Sequence, residues 1–206
     1  MIRNLIFDFG EVLVHFDPDE IMKHTIPDPD DRKIVGDFVF AHEHWHPIDT
    51  GDTTEEELAA LTAEHMPERL REPAKQVVLT WYRHLQPIPE MWSFVRRMKR
   101  GFGFSVYLLS NISAGIAPHL DLYPILGEMD GHVLSGVVKM VKPDRNIFDY
   151  TLRKFGLKAG ETVLIDDSEK NFVAASSMGL RPYRFDGDVA RLEAWLRELV
   201  PEEKNR

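Results

Sequence analysis

Short apolar runs alternate with amphipathic stretches through most of the chain. Four runs read as strands: residues 4–8 (NLIFD), 104–110 (FSVYLLS), 162–166 (TVLID) and 181–185 (RPYRF). Each is short, rich in β-branched, aromatic or leucine residues, and not strictly alternating, as expected of strands covered on both faces of a parallel sheet. Helical patterns lie between them. Residues 89–100 carry Met91, Trp92, Val95 and Met98 on one face, with Pro89 at the start. Residues 145–156 carry Ile147, Phe148, Leu152 and Phe155, with Gly156 as the stop. A third pattern covers 171–179, and a fourth covers 188–199, with Asp188 as N-cap and Val189, Leu192, Trp195, Leu196 and Leu199 as its buried face. Strand followed by helix, repeated, predicts an α/β fold with a doubly wound, Rossmann-like parallel sheet.

Residues 17–86 break the rhythm. They show no strand pattern, only helical ones at 19–26, around 32–45, at 53–66 and at 72–85, with Thr53 and Glu56 spaced as a capping box. Pro18 marks one end, and Pro87 with Pro89 the other. The expectation is a core of residues 1–16 and 87–206 with an all-helical cap, 17–86, inserted after the first strand. Such an insert would lie over the C-terminal edge of the sheet, where open α/β sheets bind ligands.

The chain has 206 residues, 43% of them hydrophobic, enough for one domain with a real core or one domain plus a small insert. A net charge of −9 and a pI near 5.5, with no basic cluster, argue against nucleic acid or an anionic membrane as partner. There are no cysteines, so disulfides and Cys-ligated zinc are excluded. No apolar run approaches the roughly 18 residues of a membrane span, and no signal-peptide pattern opens the chain. A cytoplasmic protein is the expectation. The oligomeric state, monomer or dimer, is left open.

Chemistry enters at the strand ends. The first strand finishes on Asp8, the second on Ser110 and Asn111, the third on Asp166 and Asp167. In a parallel sheet these ends share one edge. Three carboxylates brought together repel one another, and a divalent cation relieves that repulsion. Oxygen donors without Cys or His suit a hard ion such as Mg²⁺. Lys142, just before Pro143 and a helix, would add a positive charge for an anion. Carboxylates, Mg²⁺, a lysine and Ser/Asn donors are parts suited to a phosphoryl group. On that basis Asp8 reads as a nucleophile, a metal ligand, or both.

The order and type of these parts resemble the haloacid dehalogenase-like superfamily of phosphatases, over nearly the whole chain. The first motif is matched by DFGEV (8–12), the second by LLSN (108–111), the third by the lysine of KPD (142–144) and the fourth by IDDSEKN (165–171). The helical insert resembles the cap that many members carry after the first motif. The resemblance implies that Asp8 attacks phosphorus to form an aspartyl-phosphate. It implies that Asp166 and Asp167 hold Mg²⁺ together with Asp8 and the carbonyl of Gly10. Ser110 and Asn111 would bind phosphoryl oxygens, and Lys142 would bridge Asp8 and the phosphate.

One position departs from the pattern. The family's usual first motif has a second aspartate, the general acid and base, where this chain has Gly10. Acid–base help is typically worth ~10²–10⁴-fold. Three readings compete: a good leaving group, a substitute acid with Glu11 or His15 nearest, or weak or absent activity. DFGEV is similar to the form found in the α-glucose-1-phosphate phosphatase branch, which has the same gap, and this favours the first reading. The leading expectation is a Mg²⁺-dependent phosphatase for a small phosphorylated metabolite, such as a sugar phosphate. The alternatives are a non-catalytic regulator that keeps the pocket, and a dehalogenase in which Asp8 attacks carbon. The remaining polar clusters read blandly: His42, His44 and His46 as packing or surface residues, Lys139 as solvated, and Glu55, Glu56 and Glu57 as first-turn acids favoured by the helix dipole.

Overall fold

The computed structural model describes residues 1–200. Strands β1 (Asn4–Phe7), β4 (Ser105–Ser110), β5 (Gly131–Leu134), β6 (Thr162–Asp166) and β7 (Arg181–Arg184) form one parallel sheet in the order β5-β4-β1-β6-β7. Two-residue strands β2 (Val14–His15) and β3 (Gln86–Pro87) form a small antiparallel ribbon. The helices are α1 (Pro18–Lys23), α2 (Pro29–Val39), α3 (His42–Thr50), α4 (Glu55–His65), α5 (Arg71–Thr80), α6 (Pro89–Arg96), α7 (Ser135–Val138), α8 (Arg145–Phe155), α9 (Glu169–Ser177) and α10 (Val189–Leu199). No helix among the described residues is long and apolar enough to cross a membrane.

Both faces of the sheet are covered, which explains the near-continuous apolar runs. Leu5, Phe7, Val106, Leu108, Val163 and Ile165 pack with Met91, Phe94 and Val95 of α6 and Leu192 and Leu196 of α10. The alternate residues Ile6, Tyr107, Leu109 and Leu164 pack with Ile147 and Phe148 of α8 and Ala175 of α9. Each such side chain, once fully buried, contributes roughly 1.5–3 kcal/mol. All four β1 residues are buried. The chain leaves β1 toward β4 on one side and later reaches β6 on the other, so the switch point of the sheet lies at the end of β1.

Helices α1–α5 enclose an apolar cluster of their own, built on Met22, Val35, Val39, Ile48, Leu58, Ala74 and Val78. The β2–β3 ribbon draws the two ends of this insert together. The capping box stands one residue later than the spacing suggests. Thr54 and Glu57 make it, because Thr54 is the residue that adopts the extended N-cap conformation. The pattern around 32–45 divides into α2 and α3 with a break at Phe40–Ala41, where the Phe40 ring meets Phe16 edge-on and Trp45 at a tilt. Strand β5 has no counterpart in the sequence reading. Helix α7 also has no counterpart in the sequence reading, and α9 starts two residues before the expected 171. Pro89 is the first residue of α6 as expected, and the Asp188 side chain accepts the amide of Arg191 at the start of α10.

Candidate active site

The ladder explains why an apolar strand finishes on an acid. The Asp8 amide donates to Ile165 O at 2.9 Å, so pairing with β6 continues one residue past Phe7. The chain then turns sharply. The amides of Leu13 and Val14 both donate to Phe9 O, at 2.8 and 3.1 Å, and the Phe9 amide donates to Asp8 Oδ1 at 2.7 Å. Asp8 is thereby held at the mouth of the sheet with one oxygen already oriented. Neighbouring β6 ends on Asp166, whose carbonyl accepts the amide of Phe185 at 2.9 Å.

Lys142 Nζ lies 2.8 Å from Asp8 Oδ2 and 2.7 Å from Asp166 Oδ2, and both Lys142 and Asp166 have side chains only 1% exposed. Asp166 also accepts Asn171 Nδ2 at 2.9 and 3.0 Å and the Ser168 amide at 3.0 Å. One ammonium cannot neutralise two buried carboxylates. Burial, with Asp166 adding to it and Lys142 opposing, raises the Asp8 carboxyl to about 7. Burial alone would lower the Lys142 ammonium, but Asp8 and Asp166 outweigh it and hold the group above its ordinary value. Asp167, half-buried, is raised by burial and by Asp166. Asp8, Asp166 and Asp167 each offer an oxygen, all within 4.8 Å of one another, and no other such group of acids and histidines occurs among the described residues.

Asn111 acts on Lys142 from the backbone side. Its Nδ2 donates to Lys142 O at 2.8 Å and its Oδ1 accepts the Lys142 amide at 2.7 Å, a two-point clamp that ties the end of β4 to the lysine. Ser110 is buried beside it. A cavity of about 290 Å³ opens over these groups. Its polar lining includes Asp8, Gly10, Glu11, Ser110, Asn111 and Asp167, and its apolar wall includes Phe16, Trp45 and Trp81. Asp166 and Lys142 sit behind the lining rather than in it. All seven residues singled out from the sequence, Asp8, Gly10, Ser110, Asn111, Lys142, Asp166 and Asp167, therefore converge on the C-terminal edge of the sheet.

Gly10 is not compelled by its backbone. It is not among the positive-φ glycines, and an added Cβ would meet nothing nearer than Phe16 Cβ at 3.9 Å. The left-handed residue is its neighbour Glu11, φ 54°. Glu11 Oε1 accepts the Phe16 amide at 2.6 Å, and Oε2 lies 3.5 Å from His15 Nδ1, whose side chain is 58% exposed. The histidine cluster packs: His42 stacks on His46, and His44 stacks on Phe38 while bonding to its carbonyl. Glu55 departs from the first-turn reading. It is 8% exposed, and its Oε1 accepts the Ser113 hydroxyl across the contact between insert and sheet. Asp49 also lines the cavity, a residue the sequence had not marked.

A doubly wound parallel sheet with a cluster of acids at its switch point defines a Rossmann-like α/β protein with a candidate site at the strand ends. The chain belongs to the haloacid dehalogenase-like hydrolase family, whose model matches residues 2–179. It is 30% identical over 193 residues to a drimenol cyclase of Aspergillus calidoustus, covering 90% of this chain and 34% of that protein. It is 31% identical over 117 residues to a sesquiterpene phosphatase of Aspergillus oryzae, covering 56% of this chain and 59% of the other. The chain thus spans a third to somewhat over half the length of these two relatives. A D-ribitol-5-phosphate phosphatase of Bacteroides thetaiotaomicron is 24% identical over 97% of this chain and 98% of its own. Among solved structures, a haloacid dehalogenase-family enzyme of the same bacterium, crystallised with magnesium and inorganic phosphate, superposes with a TM-score of 0.68 at 22% identity, covering 93% of this chain and 99% of that one.

Proposed function

We propose that this protein is a Mg²⁺-dependent phosphatase that hydrolyses a small phosphorylated metabolite through an aspartyl-phosphate on Asp8. The observation that carries the proposal is the meeting of Asp8, Asp166 and Asp167, oxygens within 4.8 Å, beside the buried Lys142 ammonium. The donor set fits Mg²⁺: it is all oxygen and compact, and it is left with excess negative charge that Lys142 alone cannot cancel. Asp8, Asp166, Asp167 and the carbonyl of Gly10 would hold the ion. When bound, Mg²⁺ supplies charge neutralisation that lets an anionic phosphoryl group approach the carboxylates.

The remaining work falls to the chain itself. Asp8 Oδ2 attacks phosphorus, and the ester oxygen leaves on the opposite side. The Phe9 amide fixes the Asp8 carboxylate through Oδ1. Lys142 steadies the charge on Asp8 and on the transferred group, held in place by the Asn111 clamp. Because both polar ends of the Asn111 side chain serve that clamp, we assign its side chain a positioning role and leave Ser110 as the hydroxyl donor to phosphate. Water then attacks phosphorus and releases Asp8 and inorganic phosphate. We take residues 17–86 as a cap that closes the cavity, with Phe16, Trp45 and Trp81 as the wall facing the substrate's organic portion. An aromatic wall suits the flat apolar face of a sugar ring as well as an apolar chain. A sugar phosphate remains our substrate proposal, and the sesquiterpene and ribitol phosphatases among the relatives support the phosphatase reading at the level of the reaction. The test is phosphate release from an ester panel, which should require Mg²⁺ and vanish with EDTA. Full turnover in metal-free buffer would favour the dehalogenase reading, in which Asp8 attacks carbon.

A further inference from the structure

We propose that Asp49, brought in by the helical insert, is the proton donor and acceptor that position 10 lacks. The inference rests on the phosphatase reading and deepens it. Gly10 offers no side chain, yet another acid reaches the same cavity: Asp49, from the helical insert, lines the space that Asp8, Gly10 and Asp167 line. Its place is built rather than incidental. The Asp49 carbonyl accepts Ser135 Oγ at 2.5 Å, and Ser135 Oγ in turn accepts the amide of Ile112 at 2.8 Å, just past the end of β4. Two residues on, Gly51 (φ 75°) passes so close to the core that any Cβ would collide with the carbonyl of Gly136. The last turn of α3 is thus pinned to the segment that carries Ser110 and Asn111.

The Asp49 carboxyl itself makes no hydrogen bond or ion pair among the described residues, so its proton is free for a ligand. The two nearer acids in sequence are spoken for or displaced: Glu11 is tied to the Phe16 amide and His15, and His15 points mostly to solvent. The groups that face Asp49 are Glu55 of α4 and Lys142, with Asp8, Glu11 and Asp167 on the shared cavity wall. Burial and Glu55 push its carboxyl up to about 7 against the pull of Lys142. The negative end of α3 acts in the same direction. A carboxyl poised near neutrality can give a proton and take it back.

The steps balance. As the Asp8 oxygen–phosphorus bond forms and the ester P–O bond breaks, the Asp49 proton passes to the departing alcohol oxygen. Asp49, now a carboxylate, takes a proton from the water that attacks phosphorus. The Asp8–phosphorus bond breaks, inorganic phosphate leaves, and Asp49 is again protonated.

The experiment measures kcat/KM, which reports the steps up to alcohol release, for p-nitrophenyl, phenyl and primary alkyl phosphates with Mg²⁺ present. Asp49→Asn should lower kcat/KM for alkyl phosphates by ~10²-fold or more while p-nitrophenyl phosphate, whose leaving group needs no proton, changes by less than about threefold. The variant should also lose the alkaline limb near neutral pH that the wild type shows on alkyl esters. Adding Gly10→Asp to Asp49→Asn should restore alkyl ester turnover in part, since the site has room for the side chain. An equal loss across the panel, no loss at all, or the leaving-group-dependent loss appearing in His15→Ala instead would overturn the role of Asp49. These results require an active wild type. A wild type that frees phosphate from no ester overturns the phosphatase reading, and the assignment of Asp49 with it.

Discussion

Lys142→Met removes the one ammonium that Asp8 and Asp166 share and replaces it with a side chain of similar length. Both carboxylates lie within 2.8 Å of Lys142 Nζ, and the hydrogen-bond donors left to them are neutral, the Phe9 and Ser168 amides and the Asn171 amide group, with the Asp167 carboxylate close by. Removing one partner of a buried ion pair typically costs about 3–5 kcal/mol, because the other charge is left uncompensated. For a chain of this size each kcal/mol lowers Tm by roughly 2–4 °C, which gives a fall of roughly 6–20 °C. The neutral donors place the expectation in the lower half of that range. Thermal unfolding of wild type and variant in EDTA reads the cost directly, and because the Asp8 carboxyl rises further once Lys142 no longer pulls it down, the fall should grow as pH is raised above neutrality. Adding Mg²⁺ should raise both, and raise the variant more, since its site carries one more uncancelled negative charge. Saturation at 100 times Kd contributes about 2.7 kcal/mol. A fall below about 1 kcal/mol in EDTA, within the ordinary range for surface substitutions and small losses, would refute the idea that Lys142 offsets a charged acid pair.

Metal-free protein should lose stability as pH rises from about 4 to about 7. Burial holds the Asp8 and Asp49 carboxyls at about 7 against 3.8 for the free group, so in this window the folded chain binds more protons than the unfolded one. Denaturant titrations across that range in EDTA check the sign, and a rise in stability would contradict it. Glu55→Ala leaves the buried Ser113 hydroxyl without its acceptor at the contact between insert and sheet. It should cost about 1–3 kcal/mol by chemical denaturation, and an unchanged midpoint would mean that this contact contributes nothing.

What the sequence disclosed, and what it hid, follows from where the signal was local. Buried central strands announce themselves because both faces are covered, as in Leu5–Phe7 and Val163–Ile165. The acids at their ends then follow from parallel topology alone. Strand β5 escaped because it is an edge strand that opens on Gly131 and His132 and buries only Val133 and Leu134. The capping box was ambiguous by one residue because Thr53 and Thr54 precede three consecutive glutamates, and both registers satisfy the spacing. Tertiary docking decides between them: Glu55 turns inward to Ser113, and Thr54 takes the cap. The break between α2 and α3 was invisible because Phe40 keeps the apolar periodicity while its ring is claimed by Phe16 and Trp45. Asp49 was hidden more deeply. It falls between the helical patterns at 32–45 and 53–66, where the sequence offers no element, and only the docking of the insert through Ser135 brings it to the cavity that Asp8 lines.

The central claim is that Asp8 becomes covalently bonded to phosphorus and is released by attack of water on that phosphorus. Single-turnover reaction in heavy-oxygen water, followed by mass spectrometry of the Asp8 peptide and of the freed anion, tests it in one measurement. The account predicts a transient phosphoryl mass on the Asp8 peptide and one heavy oxygen in the released phosphate, with none in the Asp8 carboxylate. Heavy oxygen in the Asp8 carboxylate, or phosphate release with Asp8 never modified, would contradict it.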